Sequence, residues 1–192
     1  MKSVRLRHAA PRGVASIEFA LSLPLFLLFM LGLLEVARAM YLWNALSDAT
    51  RGVARGAAMV NPVDGGALAA LSDRASVAAR AAGMSLGAAG LDGKIVIDHL
   101  RGDFAPVAAL PACPSRNIIH CNASPNGAAC VRYVQARLCA ANSGPECTPA
   151  RYRPLFSGKL LDWSFAYPTF ATVTPAASLG HQSGVSEACP AF

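Results

Sequence analysis

The sequence predicts an α+β protein: a long N-terminal transmembrane and amphipathic helix, followed by a small, disulfide-bonded head built on an antiparallel sheet. Three observations carry this expectation. A nearly uninterrupted apolar run lies close to the N-terminus, its pattern turns amphipathic further along, and all six cysteines fall in the C-terminal half. Composition agrees, because 54% hydrophobic and 15% charged residues in a chain of 192 is rich in apolar and poor in charge for a soluble protein.

Residues 1–13 form a basic leader. Lys2, Arg5, Arg7 and Arg12 supply four positive charges of a net +6, and the remaining 13 basic residues (17 less these four) barely exceed the 11 acidic ones. That is too little positive charge, without interleaved aromatics, for a nucleic-acid footprint. A basic flank beside an apolar span instead holds that end in the cytoplasm and sends the rest of the chain outward.

Residues 14–60 are read as one transmembrane and stem helix. Between Glu18 and Glu35 lie 16 uncharged, mostly large apolar residues. Counted from Val14, the span is roughly 31 Å as a helix, enough to cross a bilayer once. Pro24 and Gly32 interrupt the pattern, but both are tolerated in membrane helices. Glu18 is the anomaly, since an ionised carboxylate in the apolar layer costs about 2.5–3.5 kcal/mol even on mild insertion scales.

Ala37-Arg38-Ala39 has the small-x-small form of a signal peptidase site, which opens an alternative: a soluble exported disulfide-rich binding protein released after Ala39. Glu18 within the apolar run and Glu35 just before the cut weigh against it. A plain anchor gives no reason for Glu18.

One pattern accounts for the leader, Gly13 and Glu18 together. Gly13, then Glu18-Phe19-Ala20-Leu21, Leu23-Pro24-Leu25, Gly32, Glu35, Ala37-Arg38-Ala39, Tyr41, Ala45-Leu46 and Ala49 to Arg55 resemble a TadE-like minor pseudopilin of the tight-adherence (Tad/Flp) pilus system. The resemblance covers residues 12–58. It implies a type IV prepilin-like signal cut between Gly13 and Val14, with Glu18 as the fifth mature residue and Phe19 the aromatic after it. In a staggered helix bundle, the Val14 amine of one subunit then meets Glu18 of another, and an unfavourable charge becomes a register device.

The resemblance further implies a non-enzymatic protein without cofactor or metal, acting in assembly, priming or secretion of a Flp-type pilus. Its implied partners are a prepilin peptidase, other pilins and pseudopilins, the inner-membrane pilus platform and membrane lipid. The implied location is the bacterial inner membrane, single-pass, with the N-terminus cytoplasmic and the head periplasmic or on a pilus.

Beyond Glu35, Leu42, Leu46, Ala49, Val53, Ala57 and Val60 recur at helical spacing, with Asn44, Ser47, Asp48, Arg51 and Arg55 opposite. A helix from Val14 to Met59 would be roughly 70 Å long, a pilin-like stem whose distal half packs on its own head. Asn61-Pro62-Val63-Asp64-Gly65-Gly66 breaks it and opens the head, residues 61–192.

In the head, Ala67 to Ala82 reads as an alanine-rich helix, and Lys94–Asp98, Cys130–Leu138 and Phe165–Thr174 as strands, with Pro168 marking an edge or bend. Pro154 to Leu161 reads as a short helix or turn. Residues 111–149, rich in Pro, Ser, Asn and Gly, read as a loop region held by bridges. Cys113, Cys121, Cys130, Cys139, Cys147 and Cys189 are candidate disulfides in an exported domain, with 15 possible connectivities. A local Cys139–Cys147 bridge across Asn142-Ser143-Gly144-Pro145 is the favoured pair, and Cys189 ties the C-terminus to the head.

Little of the sequence points to chemistry. His120-Cys121 near Cys113 lacks the C-x2-C spacing of a zinc site, and His99 beside Asp98 reads as the end of a strand. In Gly180-His181-Gln182-Ser183-Gly184 the serine is one place too late for a nucleophile elbow. Asn122-Ala123-Ser124 has the form of a glycosylation acceptor, read as accidental.

Overall fold

A run whose one proline is Pro24 begins at Val14, and the computed structural model of the protein makes it a single helix, α1, Val14–Ala57. The structure describes residues 13–82, 93–140, 142–144, 146–152, 154, 165–176, 178–181 and 189; the basic leader, most of the 154–161 segment and residues 182–184 lie outside these. The chain divides into two units, 1–39 and 40–192. In the first, every residue of α1 from Val14 to Leu34 is exposed, and this is the one helix among the described residues long and apolar enough to cross a membrane.

In the second unit α1 becomes amphipathic. It buries Leu42, Leu46, Thr50, Val53, Ala54 and Ala57, while Asn44, Asp48, Arg51 and Arg55 stay exposed. Thr50 takes the buried place expected for Ala49, because its hydroxyl has two partners: the Ser47 carbonyl at 3.0 Å and the Thr172 hydroxyl at 3.1 Å. The helix ends in tighter turns, Met59 N–H to Gly56 and Val60 N–H to Ala57. The Asn61 side chain then accepts from Val63 N–H, and the Asp64 carboxylate caps the next helix by accepting from Ala67 N–H at 3.0 Å. That helix, α2, runs Gly65–Ala82.

Three antiparallel strands complete the core: β1 (Gly93–Leu100), β2 (Tyr133–Ala140) and β5 (Ala171–Pro175), in the order β1-β2-β5. A two-stranded ribbon pairs β3 (Arg151–Tyr152) with β4 (Phe165–Ala166). The strand expected over 165–174 is thus two strands in different sheets, split around Pro168, whose missing N–H cannot continue a ladder. The strand expected over 130–138 is present as β2, whereas the rest of the region expected to be loop-rich, 111–149, also holds a helix, α3 (Pro114–Ala123).

Period-two alternation sorts the sheet into two faces. Ile95 and His99 of β1 and Val134, Ala136 and Leu138 of β2 are buried on one, and Thr172 of β5, level with Ala136, meets Thr50 of α1 there. Ala57, Ala58, Val131, Val134 and Leu179 form the heart of the core, with Leu68 and Leu71 of α2 against it. The opposite face carries Gln135 and a 2.7 Å ion pair between Asp98 and Arg137, the polar side of a half-solvated antiparallel sheet. Leu179 N–H bonds the Ala58 carbonyl at 3.0 Å, and Gly180 (φ 84°) follows so close that a Cβ would stand 2.9 Å from the Asn61 nitrogen.

His99 sits on the buried face, and its Nε2 has no hydrogen-bond partner among the described residues. Burial pushes its imidazole below the ordinary value of 6.5, against an upward pull from the Asp98 charge. The folded protein therefore disfavours the protonated ring. Stability from this site is fully present above about pH 6.5 and is lost as pH falls through the lowered folded value. The thermal midpoint of the detergent-solubilised chain should fall between pH 7 and 5, and His99→Leu should flatten part of that fall; equal slopes would show that His99 does not contribute.

Candidate functional site

The N-terminal helix presents its landmark residues to the surroundings. Gly13 precedes the first turn, its carbonyl accepting from Ile17 N–H at 3.3 Å, with nothing within 4 Å of where a Cβ would stand. Val14 is 50% and Phe19 64% exposed, so neither contributes to a core of this chain. Glu18 is exposed and, among the described residues, has no ionic partner. One helical turn separates Val14 from Glu18, which places both on one face.

The far end of the apolar run is different. Glu35 and Arg38 pair at 3.3 Å with both side chains largely covered, 17% and 13% exposed. A paired charge three residues apart on a helix is an inexpensive way to end an apolar segment. Glu18 has no such neighbour among the described residues.

In the head the six cysteines form three bridges: Cys113–Cys189, Cys121–Cys130 and Cys139–Cys147. Two of them bracket α3. Cys113 immediately precedes Pro114, whose fixed φ suits a first helical position, and Cys121 lies in the last turns. The Ser115 hydroxyl lies 3.2 Å from Cys113 Sγ and 3.1 Å from Cys189 Sγ.

Between the two bridges, buried Asn117 binds the Val131 backbone twice, its Nδ2 donating to the carbonyl at 3.1 Å and its Oδ1 accepting from the N–H at 2.8 Å. This side chain substitutes for a strand partner just ahead of β2. Its only trace in the sequence is an asparagine flanked by cysteines, so sequence reasoning passed over it.

With Cys113 and Cys121 in separate bridges, their sulfurs are not free to join His120 in a zinc set, and no group of three metal-ligating side chains occurs among the described residues. His99 ends β1 as a core residue. His181 belongs to a turn, its N–H donating to the Ser178 carbonyl at 2.8 Å. Among the described residues nothing assembles a nucleophile with a base, and the features that stand out are surfaces: an apolar helix carrying one exposed carboxylate, and a head stiffened by bridges.

Residues 13–55 fit the family model described as TadE-like protein, a stretch that opens on Gly13 and takes in nearly all of α1. This makes the N-terminal region TadE-like and suggests involvement in the Tad pilus. No curated protein and no solved structure matches the chain.

The match stops at Arg55, so the head stands on its own physics. Loop-closure entropy ranks its bridges, since Cys113–Cys189 closes 76 residues and Cys121–Cys130 closes 9. Replacing the first pair by serines should cost about 4.5 kcal/mol and the second about 2.6 kcal/mol. Thermal unfolding of the two double variants checks the order, and a larger loss from the short bridge would contradict it.

Proposed function

We propose that this chain, TadE-like over residues 13–55, is a minor pseudopilin that acts in assembly, priming or secretion of a Flp-type tight-adherence pilus. One observation carries the reading: the family match opens on the glycine that precedes the first helical residue, and the carboxylate five places on is exposed with no ionic partner among the described residues.

The proposed sequence of events follows from these residues. A prepilin peptidase on the cytoplasmic face cuts between Gly13 and Val14, both of which are exposed. Val14 gains a free amine at the start of an intact helix. In lipid, Glu18 of one subunit pairs with the Val14 amine of a neighbouring pilin or pseudopilin, and the geometry of that pair sets their stagger. The apolar surface from Leu21 to Leu34 supplies the helix-to-helix contact. The inner-membrane platform then moves the subunit, while the oxidised head remains on the outer side, where its bridges persist.

The rival outcome, release after Ala39, draws support from the boundary between the two structural units, which falls between Ala39 and Met40. The family match runs through that point without interruption, which favours retention.

Glu18→Ala should leave the protein in the membrane fraction but lower its incorporation into pilus assemblies by about tenfold or more, as loss of one ion pair in lipid implies. Gly13→Trp should block processing. Normal pilus formation with Glu18→Ala would refute the register role.

A further inference from the structure

The two edges of the three-stranded sheet are treated differently. Along β1, the Leu100 end is covered, because Val107 N–H bonds the His99 carbonyl at 3.0 Å and Pro106 bridges to Leu100. The Gly93 end carries exposed Lys94, a charge that discourages further pairing. Strand β5, Ala-Thr-Val-Thr-Pro, has no charge, no bulge and no covering segment among the described residues.

The hydrogen-bond phase of β5 follows from its flanks. Leu138 N–H bonds the Phe170 carbonyl at 3.0 Å and Ala176 N–H the Arg132 carbonyl at 2.8 Å, so the pairs Ala136–Thr172 and Val134–Thr174 between them are the hydrogen-bonded ones. Ala171, Val173 and Pro175 therefore aim their backbone groups away from β2. All three are exposed, Val173 at 41%, and none of their outward groups has a partner among the described residues. Two N–H donors and three carbonyls form an open row, a template for another strand.

We infer that this edge pairs with β5 of a second copy of the chain, antiparallel about a two-fold axis at Val173, to join two heads through a continuous six-stranded sheet. The register selects the occupant. In it Val173 and the partner's Val173 exchange both hydrogen bonds, and Ala171 N–H of each copy donates to Pro175 carbonyl of the other. Every outward donor of the strand is used, and the one residue without an N–H falls at the end where its loss is least felt.

Side chains agree with the same register. Val173 packs beside its symmetry mate, and Thr172 lies opposite the partner's Thr174, a favourable cross-strand pair. With no charge on either strand, the two-fold brings no like charges together. Nor does β5 offer a charged side chain with which to select a different extended partner. The inference does not rest on the pilus reading.

The test uses the full-length chain in its membranes. All six native cysteines are bridged, so Val173→Cys adds a single reactive thiol beside its symmetry mate. It should cross-link two copies on mild oxidation, whereas Ile119→Cys, exposed on α3, should not. Val173→Lys places like charges across the axis. Val173→Pro removes an outward N–H and no donor of the β2–β5 ladder, at an edge position where proline is tolerated; retention of the folded head is checked by an unchanged disulfide pattern.

Both should reduce dimer in detergent by about tenfold or more, Val173→Pro through loss of two net hydrogen bonds and Val173→Lys through like-charge repulsion across the axis. A dimer insensitive to both variants, or no cross-link above the Ile119→Cys control, would overturn the inference. So would capture of a different protein by Val173→Cys in place of the second copy.

Discussion

The structure depends on one constraint: a single helix must satisfy two different surroundings along its length. From Val14 to Leu34 α1 is apolar on every side and wholly exposed, and from Leu42 it presents one buried stripe and one polar one. A helix is suited to both tasks because its backbone bonds are internal, so its exposed apolar surface carries no unpaired amide cost into lipid. What changes along α1 is only the side-chain pattern. Glu35 and Arg38, paired at 3.3 Å, lie between the two regimes, whereas Glu18 lies inside the first with no ionic partner among the described residues.

The head shows why the distal helix is needed. Three strands and a two-residue ribbon bury little apolar surface, and small domains of this kind are short of hydrophobic stabilisation. Leu46, Val53, Ala54 and Ala57 of α1 supply one wall of the core, and Leu68 and Leu71 of α2 add to it. The bridges supply the rest by restricting the unfolded chain, above all Cys113–Cys189, which ties residue 189 back to the start of α3 across 76 residues. Asn117 then locks the middle of α3 to the strand entry through two backbone bonds.

Much of this was legible in the sequence where the cause is local. The change from uniform to period-3.6 hydrophobicity marks the two regimes of α1, and Asn61 to Gly66 marks the break through identifiable turn chemistry. Cys139 and Cys147 could be matched because turn-forming residues separate them and they lie 8 apart. The misses have non-local causes. Ala49 looked as good as Thr50 for the buried stripe until a threonine 122 residues away offered its hydroxyl. Helix α3 hides in a composition of Pro, Asn and Cys, because its stability comes from bridges and Asn117 and not from propensity. Strand β4 left the main sheet for Tyr152 and Arg151, a choice between partners that alternation cannot register. At the N-terminus, Gly13 and Glu18 were visible as a motif because both lie in one short stretch, the same stretch that the family match covers.

The central claim is that residues 14–39 stay in the mature protein as its membrane helix, with an oxidised head beyond. The most direct test is the N-terminal sequence and intact mass of the protein extracted from native membranes, before and after reduction. The account predicts a chain starting at Val14 that gains about 6 Da on reduction, about 2 Da for each of three bridges. A chain starting at Met40 would contradict it by making the protein a released, soluble head, and one starting at Met1 would leave an unprocessed anchor in which Glu18 has no new amine to meet.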